Sequence, residues 1–490
     1  MKKEGTSLIQ LLKSLSRKEL RKLDKFLRSP YFTEGKNISS GIIYRYFEIL
    51  RKYHPHFEDQ ELSDEKIYSR LYPDGTSSVN IIRKLNSDLL HLAEKFLSQQ
   101  EFERNENELR QNLLLQLSGR KVEKVFNRRF NEMLKYLETL DKDEEYFYEI
   151  YNTWNNYWTN YFLSKSVYKL EESVKHRNNF FIYVVLASLR IYLVESSLLS
   201  GFTKMQEEKS EFYLYNEILN HVKENYSNYE EVPQILIHYN LIKMIKSKEE
   251  SYYYNLKVLK SSYFDILTNA DKYNLFIMMT NFCQYMIFHN DFKFRRERFL
   301  LDKEFLQTHL IDWLGGIHFF QFLSITKNAI KLREFKWVEK TIEELSQKIE
   351  SKYRDFAVNF VKALIYFERK SYNKALELLA KLTIEYSHEK QYIRNLMLQI
   401  YYETGEDETA LSLIDTGRHF IHRDKHLNEE AKKNSLNFIR FTEKLIKARV
   451  KLQPDLFFTL KKEISANSSV ENKDWLLEKI EEILKAENPK

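Results

Sequence analysis

The stretch Ala363-Leu364-Ile365-Tyr366-Phe367-Glu368-Arg369-Lys370-Ser371-Tyr372-Asn373-Lys374-Ala375-Leu376-Glu377-Leu378-Leu379 decides the fold. Within it Ala363, Tyr366, Tyr372, Ala375 and Leu379 form a pattern that returns 35 residues later as Leu398, Tyr401, Asp407, Ala410 and Ile414. An earlier, looser copy reads Asn328, Lys331, Trp337, Lys340 and Glu344. Trp337, Tyr372 and Asp407 are evenly spaced, as are Lys340, Ala375 and Ala410. A fixed period of this size marks stacked helical hairpins. Such units bury their apolar faces on one another and leave a long curved surface, which is a binding architecture.

Working outward, composition supports helix throughout. The chain has 490 residues, too many for one hydrophobic core of ordinary size, so it divides into domains or extends as a solenoid. It holds 10 glycines and 6 prolines, where average usage gives roughly 34 and 24. No proline lies between Pro73 and Pro233, or between Pro233 and Pro454. Sheets need frequent turns, and turns recruit these residues. Aromatics at 15% exclude a disordered chain. The 77 Lys and Arg are interspersed with 71 Asp and Glu, leaving a formal charge of +6. That mixing describes solvated helix faces and gives little support to nucleic-acid binding.

The lone cysteine, Cys283, allows no disulfide within the chain, which excludes a disulfide-stabilised exported fold. Met1-Lys2-Lys3-Glu4-Gly5 is not followed by an apolar run. The most apolar stretch, Phe180 to Val194, is interrupted by Arg190 and falls short of the ~20 residues of a spanning helix. The expectation is a cytoplasmic protein with no membrane partner, and the richness in Lys, Asn, Ile and Tyr hints at a bacterial source.

Four segments are expected. Residues 1–100 form an N-terminal helical domain: Leu8, Leu11, Leu12 and Leu15 share a face, Ser16 and Glu19 make a capping box, and Ser29-Pro30 ends the second helix. Further helices run from Ile42 to Tyr53, from Ser63 to the Pro73-Asp74-Gly75 turn, and from Ser78 onward. Residues 101–300 read as long-helix hairpins, with helices at 109–117, 122–140, 146–175, 180–200, 205–226, 233–247, 251–267 and 271–289. Residues 301–425 carry the period. Residues 426–490 close the chain with capping helices at 456–464 and 475–484, the last with Glu478, Lys479, Glu481 and Glu482 outward.

The segment from about 322 to 420 resembles the tetratricopeptide repeat family, clearest in 357–414. Small Ala363 and Ala375 let paired helices approach, and large Tyr366, Tyr372 and Leu379 fill the gap. The second copy keeps Tyr401, Gly405, Ala410 and Ile414, and places Leu398 and Asp407 at the small and aromatic sites. The earliest copy has Lys340 where Ala is expected, and no copy has the family's proline at the hairpin end. The resemblance implies an all-α, right-handed solenoid of antiparallel helix pairs. It also implies that first helices line a concave groove, with Phe322, Ile325, Ala329 and Leu332, then Ala357, Phe360, Leu364 and Phe367, then Tyr392, Asn395, Gln399 and Tyr402 on its surface. That surface reads as largely apolar with no Lys/Arg pair, and is either open to a partner or covered by the protein's own helices.

Other constellations carry less. Residues 62–97 look like the helix-turn-helix of winged-helix transcription regulators, with Asn80, Arg83, Lys84 and Ser87 on the exposed face of a recognition helix. A wing would need a β-hairpin after residue 97, and the sequence stays helical. Lys293, Arg295, Arg296 and Arg298 are interleaved with aromatics, a pattern that can hold single strands, though solvated arginines on an amphipathic helix explain it as well. Arg120, Lys121, Lys124, Arg128 and Arg129 read alike. His419, His422 and His426 fall at i, i+3 and i+7, yet no H-E-x-x-H accompanies them and one helix gives poor tetrahedral geometry. Nucleotide motifs are absent, Gly315-Gly316 reads as a turn or close helix approach, and Cys283 reads as a buried inert thiol. No catalytic, metal or cofactor residues are assigned.

The sequence thus predicts a non-catalytic scaffold or adaptor that binds another protein or peptide segment. The partner-binding residues would be Phe360, Leu364, Phe367, Tyr392, Asn395, Gln399 and Tyr402. The alternative is a DNA-binding regulator using Asn80, Arg83, Lys84 and Ser87, with the repeats as its sensor.

Overall fold

The computed structural model describes residues 6–29, 31, 39–58, 62–73, 79–164, 170–201, 213–382, 387–425, 427, 429–451, 454–467 and 469–487. Among these the fold is all-α. No strand occurs, and the single β-bridge joins Ile317 to Ile349. The chain divides into two compact units, one of residues 1–140 and 148–177, the other of 141–147 and 178–490.

The first unit contains α1 Ser7–Ser14, α2 Arg17–Arg28, α3 Ser39–Arg51, α4 Asp64–Leu71, α5 Val79–Arg104, α6 Glu106–Gly119, α7 Glu123–Leu137 and most of α8 Glu144–Ser164. Its core is built from Leu8 and Leu12 of the stripe read above, with Leu23 and Phe26, Tyr46 and Phe47, then Ile82, Leu85, Leu89 and Phe96 on α5. The Ser16 hydroxyl accepts from the Glu19 N–H at 3.2 Å while the Glu19 carboxylate accepts from the Ser16 N–H at 2.8 Å, the reciprocal bonds of the capping box. Ser63 caps α4 in the expected place. Of the Pro73-Asp74-Gly75 turn and Ser78, all but Pro73 lie outside the described residues, as does Pro30.

The second unit contains the rest of α9 Leu170–Gly201, then α10 Tyr213–Glu224, α11 Pro233–Ser247, α12 Glu250–Tyr263, α13 Asn269–Phe288, α14 Lys293–Gln307, α15 Leu310–Trp313, α16 Phe319–Lys331, α17 Phe335–Leu345, α18 Ser351–Glu368, α19 Tyr372–Ala380, α20 Ser387–Thr404, α21 Asp407–Arg423, α22 Glu429–Lys451, α23 Pro454–Ala466 and α24 Lys473–Glu487. Consecutive helices pack against each other, notably α11 on α12, α13 on α14, α18 on α19, α20 on α21 and α23 on α24. Alternate helices also touch: α11 with α13, α14 with α16, α16 with α18, α18 with α20 and α22 with α24. Ala363, Ala375 and Ala410 are fully buried where helices cross, whereas Lys340 points to solvent. The hairpins close with one recurring geometry. The N–H of Asp291, Glu334, Ser371 and Glu406 each reaches back five residues, to the carbonyls of Met286, Ala329, Tyr366 and Tyr401 at 2.8–3.0 Å. The residue before each is left-handed: Asn290, Arg333, Lys370 and Gly405, with φ of 69°, 59°, 57° and 77°. This is the Schellman closure of a helix C-terminus. At Gly315-Gly316 a fifth turn lets the Lys348 carbonyl approach so closely that a Cβ on Gly316 would sit 2.5 Å from its oxygen.

Several expectations need correcting. The helices expected at 146–175 and 180–200 are not separated: α9 runs without a break from Leu170 to Gly201, while residues 165–169 and 202–212 lie outside the described set. Within α9 the stretch Val174–Glu195, 22 residues, is long and apolar enough to cross a membrane by length and composition. On it Val185, Leu186, Leu189 and Leu193 are buried while Phe181, Ile191 and Val194 are exposed, and Arg190 pairs with Glu144 at 3.0 Å. The 23-residue α22 was not foreseen. Lys479 does not point outward on the last helix: it is buried, bonded to Glu403 at 2.9 Å and Glu482 at 2.8 Å.

Candidate binding cavity

Inside the second unit lies a cavity of about 370 Å³, a size common for small-molecule sites. Helical spacing puts Phe360, Leu364 and Phe367 of α18 on one wall, and Tyr392, Asn395 and Gln399 of α20 on the next. α16 adds Lys327, Asn328 and Lys331, and the α13–α14 corner adds Phe288, Phe292 and Arg295. The segment Glu471 to Asp474, with Leu477, closes the remaining side. It is held by Asp474 on Arg295 at 3.0 Å, by Lys473 Nζ donating to the Phe288 carbonyl at 3.3 Å and the Ser465 carbonyl at 2.9 Å, and by Glu471 accepting from Ser435 at 2.9 Å.

Six of the seven residues predicted to bind a partner therefore share one enclosure. The seventh, Tyr402, is turned away from it, stacked edge-on against Trp475 at 5.3 Å. The Trp475 indole N–H donates to Glu403 at 2.9 Å. The expected groove is covered along this edge by the chain's own C-terminal helices. Two further expectations fail here. Phe322, Ile325, Ala329 and Ala357 are core, not groove. The residues α16 presents instead are cationic, so the surface that reads as free of Lys/Arg pairs holds Lys327, Lys331, Arg295, Arg298 and Lys473. A shift of two residues on one helix separates the two readings: Ile325 lies in the core and Lys327 in the cavity.

The charges are unevenly matched. Lys331 pairs with Glu368 at 2.6 Å; burial pushes its ammonium down, but Asp474 and Glu368 outweigh that and hold it above the usual lysine range. Asp474 is raised by burial and lowered further by Lys331 and Arg295, ending below the usual carboxylate range. Arg298 is buried, donates to Gln284 and Ser324, and faces Asp302 at 3.7 Å. Burial lifts the Asp302 carboxyl to about 6 despite that arginine. Lys327 is different. Its ammonium lies 4.2 Å from the centre of the Tyr392 ring and 5.6 Å from that of Phe360. No hydrogen bond or ion pair to it occurs among the described residues; burial lowers it below the usual lysine range, with Glu471 opposing. Asn395 Nδ2, Asn328 Oδ1 and Arg298 Nε, on three buried side chains of the lining, have no hydrogen-bond partner.

The other candidates are dispersed. Asn80, Arg83, Lys84 and Ser87 are exposed on α5, opposite its buried Ile82 and Leu85, and α5 continues unbroken to Arg104 where a wing would begin. Of the cluster read as solvated, Lys293 and Arg296 are exposed, in ion pairs with Glu250 and Glu334, whereas Arg295 pairs with Asp474 and Arg298 is buried as above. Arg120, Lys121, Lys124, Arg128 and Arg129 are exposed. His419 and His422 are exposed, and His426 lies outside the described residues. Cys283 is fully buried, its thiol pushed up to about 12 by burial. A second, more polar cavity of about 480 Å³ collects Asp143, Glu144, Arg190, Gln234, His238 and Asp271. Sequence reading missed it because its residues come from four separate helices and a loop with no shared motif.

Chemically the first cavity can hold an apolar group between rings and fix a polar one at its cationic end. No family model matches the chain, nor does any curated protein or solved structure.

Proposed function

We propose that the chain is a right-handed α-solenoid, similar to tetratricopeptide repeats over about 322–420, acting as a non-catalytic scaffold or adaptor for another protein. One observation carries the reading: Phe360, Leu364, Phe367, Tyr392, Asn395 and Gln399, picked from the repeat pattern, line a single enclosure on alternate helices. Contacts between alternate helices support the stacked arrangement, since a repeat array is one in which each pair rests on the next. The partner would enter at the half-buried Leu364 and Tyr392, where a few aromatic anchors could supply most of the affinity. The test uses the full chain as bait. Leu364→Arg should abolish partner capture with the helical circular dichroism unchanged; capture that survives the substitution, with the fold intact, sinks the reading.

A further inference from the structure

We propose that the cavity is a binding site for a small organic acid: a carboxylate at Lys327, with an apolar or aromatic body lying between Phe360, Tyr392 and Leu364. The inference concerns the same groove as the partner reading but does not need a protein partner.

Three observations carry it. First, a half-buried ammonium is best matched by a counter-charge, and Lys327 has none within ion-pair distance among the described residues. The two rings beneath it offer partial compensation only, since a cation–π contact is worth less than a buried ion pair. Second, the lining carries five cations, Arg295, Arg298, Lys327, Lys331 and Lys473, against three carboxylates, Glu368, Glu471 and Asp474. Asp302, which faces Arg298 from outside the cavity, reduces the excess but leaves one positive charge. The local pairs account for Arg295, Lys331 and Arg298; Glu471 acts on Lys327 without forming an ion pair with it, and Lys473 is held by two backbone carbonyls, so the one positive charge left over is shared between Lys327 and Lys473. Third, Asn395 is 3% exposed and Asn328 4%, yet each has a polar atom with no partner. Buried amides are hydrogen-bonded as a rule, so two orphaned ones on residues of the lining leave hydrogen-bonding capacity that a side-chain rotation would offer to a ligand. Turned into the cavity, Asn395 Nδ2 would donate to a carboxylate, and Asn328 Oδ1 would accept from a hydroxyl or amide.

The apolar body follows from the other walls. Phe288, Phe360, Phe367, Leu364 and Leu477 give the cavity more carbon than polar surface to contact. An inorganic anion would satisfy Lys327 and leave this space to water. A volume of about 370 Å³ suits a molecule of modest size.

The experiment is calorimetry on the full-length protein with benzoate, indole-3-acetate, 4-phenylbutyrate and octanoate, each beside its neutral primary amide, and with inorganic phosphate. At least one carboxylate should bind, its amide about tenfold or more weaker, about 1.4 kcal/mol or more. Lys327→Met should remove that preference while Lys340→Met, an equal charge change at an exposed site, keeps it. Thermal unfolding without added acid shows whether Lys327→Met folds, and Lys327→Arg should restore the preference for the acid over the amide. Equal binding of acid and amide, unchanged selectivity in Lys327→Met, phosphate binding in place of the acids, or no heat from any carboxylate would each overturn the proposal. Acid binding by a parent protein that captures no partner, or partner capture that survives in Lys327→Met while acid selectivity is lost, separates this inference from the partner reading.

Discussion

At the scale of single residues, side chains in this protein are set by what lies within one contact of them. Asp271 is the clearest example. Burial works against its charge, but hydrogen bonds from His238, at 3.3 Å, and from the Thr268 hydroxyl, at 2.9 Å, carry it below the usual carboxylate range. A carboxyl that is more acidic in the folded chain than in the unfolded one adds stability above its unfolded value near 4, and that stability is lost as the pH falls through its lower folded value. Asp271→Asn should therefore destabilise the fold at pH 7 by about 1–3 kcal/mol for the lost charge-assisted bonds, seen as a lower thermal midpoint. The gap from the parent should narrow at pH 3, and an equal gap at both values would show that the charge is not what matters. Little of this could be read beforehand: Asp271 and His238 are 33 residues apart on different helices. The capping box at Ser16 and Glu19 was legible because both partners lie within one turn. The Lys327 environment was not, for a matter of register: the stripe assigned to the groove on α16 was two residues out of phase.

At the scale of elements, helix existence follows from the sequence and helix endings follow less well. The C-termini of α13, α16, α18 and α20 end in the same closure, yet only one of the four uses glycine, at Gly405. Asn290, Arg333 and Lys370 adopt the left-handed conformation that glycine takes without steric cost. That is why three hairpin turns are invisible to a search for Gly and Pro. It also gives a forecast. Lys370→Gly should raise stability by about 1 kcal/mol, the penalty an L-residue carries there, offset in part by the freedom glycine adds to the unfolded chain. Urea unfolding of the full chain measures it, and destabilisation by the glycine would mean that the Lys370 side chain holds the turn. α9 shows the reverse error: two helices are read at 146–175 and 180–200, yet one helix runs through residues 176–179.

At the scale of the whole molecule, the class of fold was readable from what the sequence lacks, glycine and proline, and from the 35-residue recurrence. The units were harder to see. Of the three changes of unit, the one at 140–141 falls in a loop, but those at 147–148 and 177–178 fall inside α8 and α9, where no proline announces them. The regulator reading belongs at this scale too. Asn80, Arg83, Lys84 and Ser87 are exposed, but polar residues on the outer face of a core helix are ordinary, and α5 extends where a wing would be needed. In a gel shift with the full chain at low salt, mixed-sequence duplex DNA should not be retarded. Binding that falls steeply with added salt would reinstate the alternative.

The cavity wall supplied by Glu471 to Leu477 is separated by about 70 residues from the nearest of the other walls, at Gln399. During translation those helical walls leave the ribosome first. At roughly 5–20 residues per second, the aromatic lining of α18 and α20 waits on the order of 4–14 s before its last wall exists. Through that interval the nascent chain shows chaperones an unroofed row of Phe and Tyr side chains, and ligand recognition becomes possible only once the final helix has emerged.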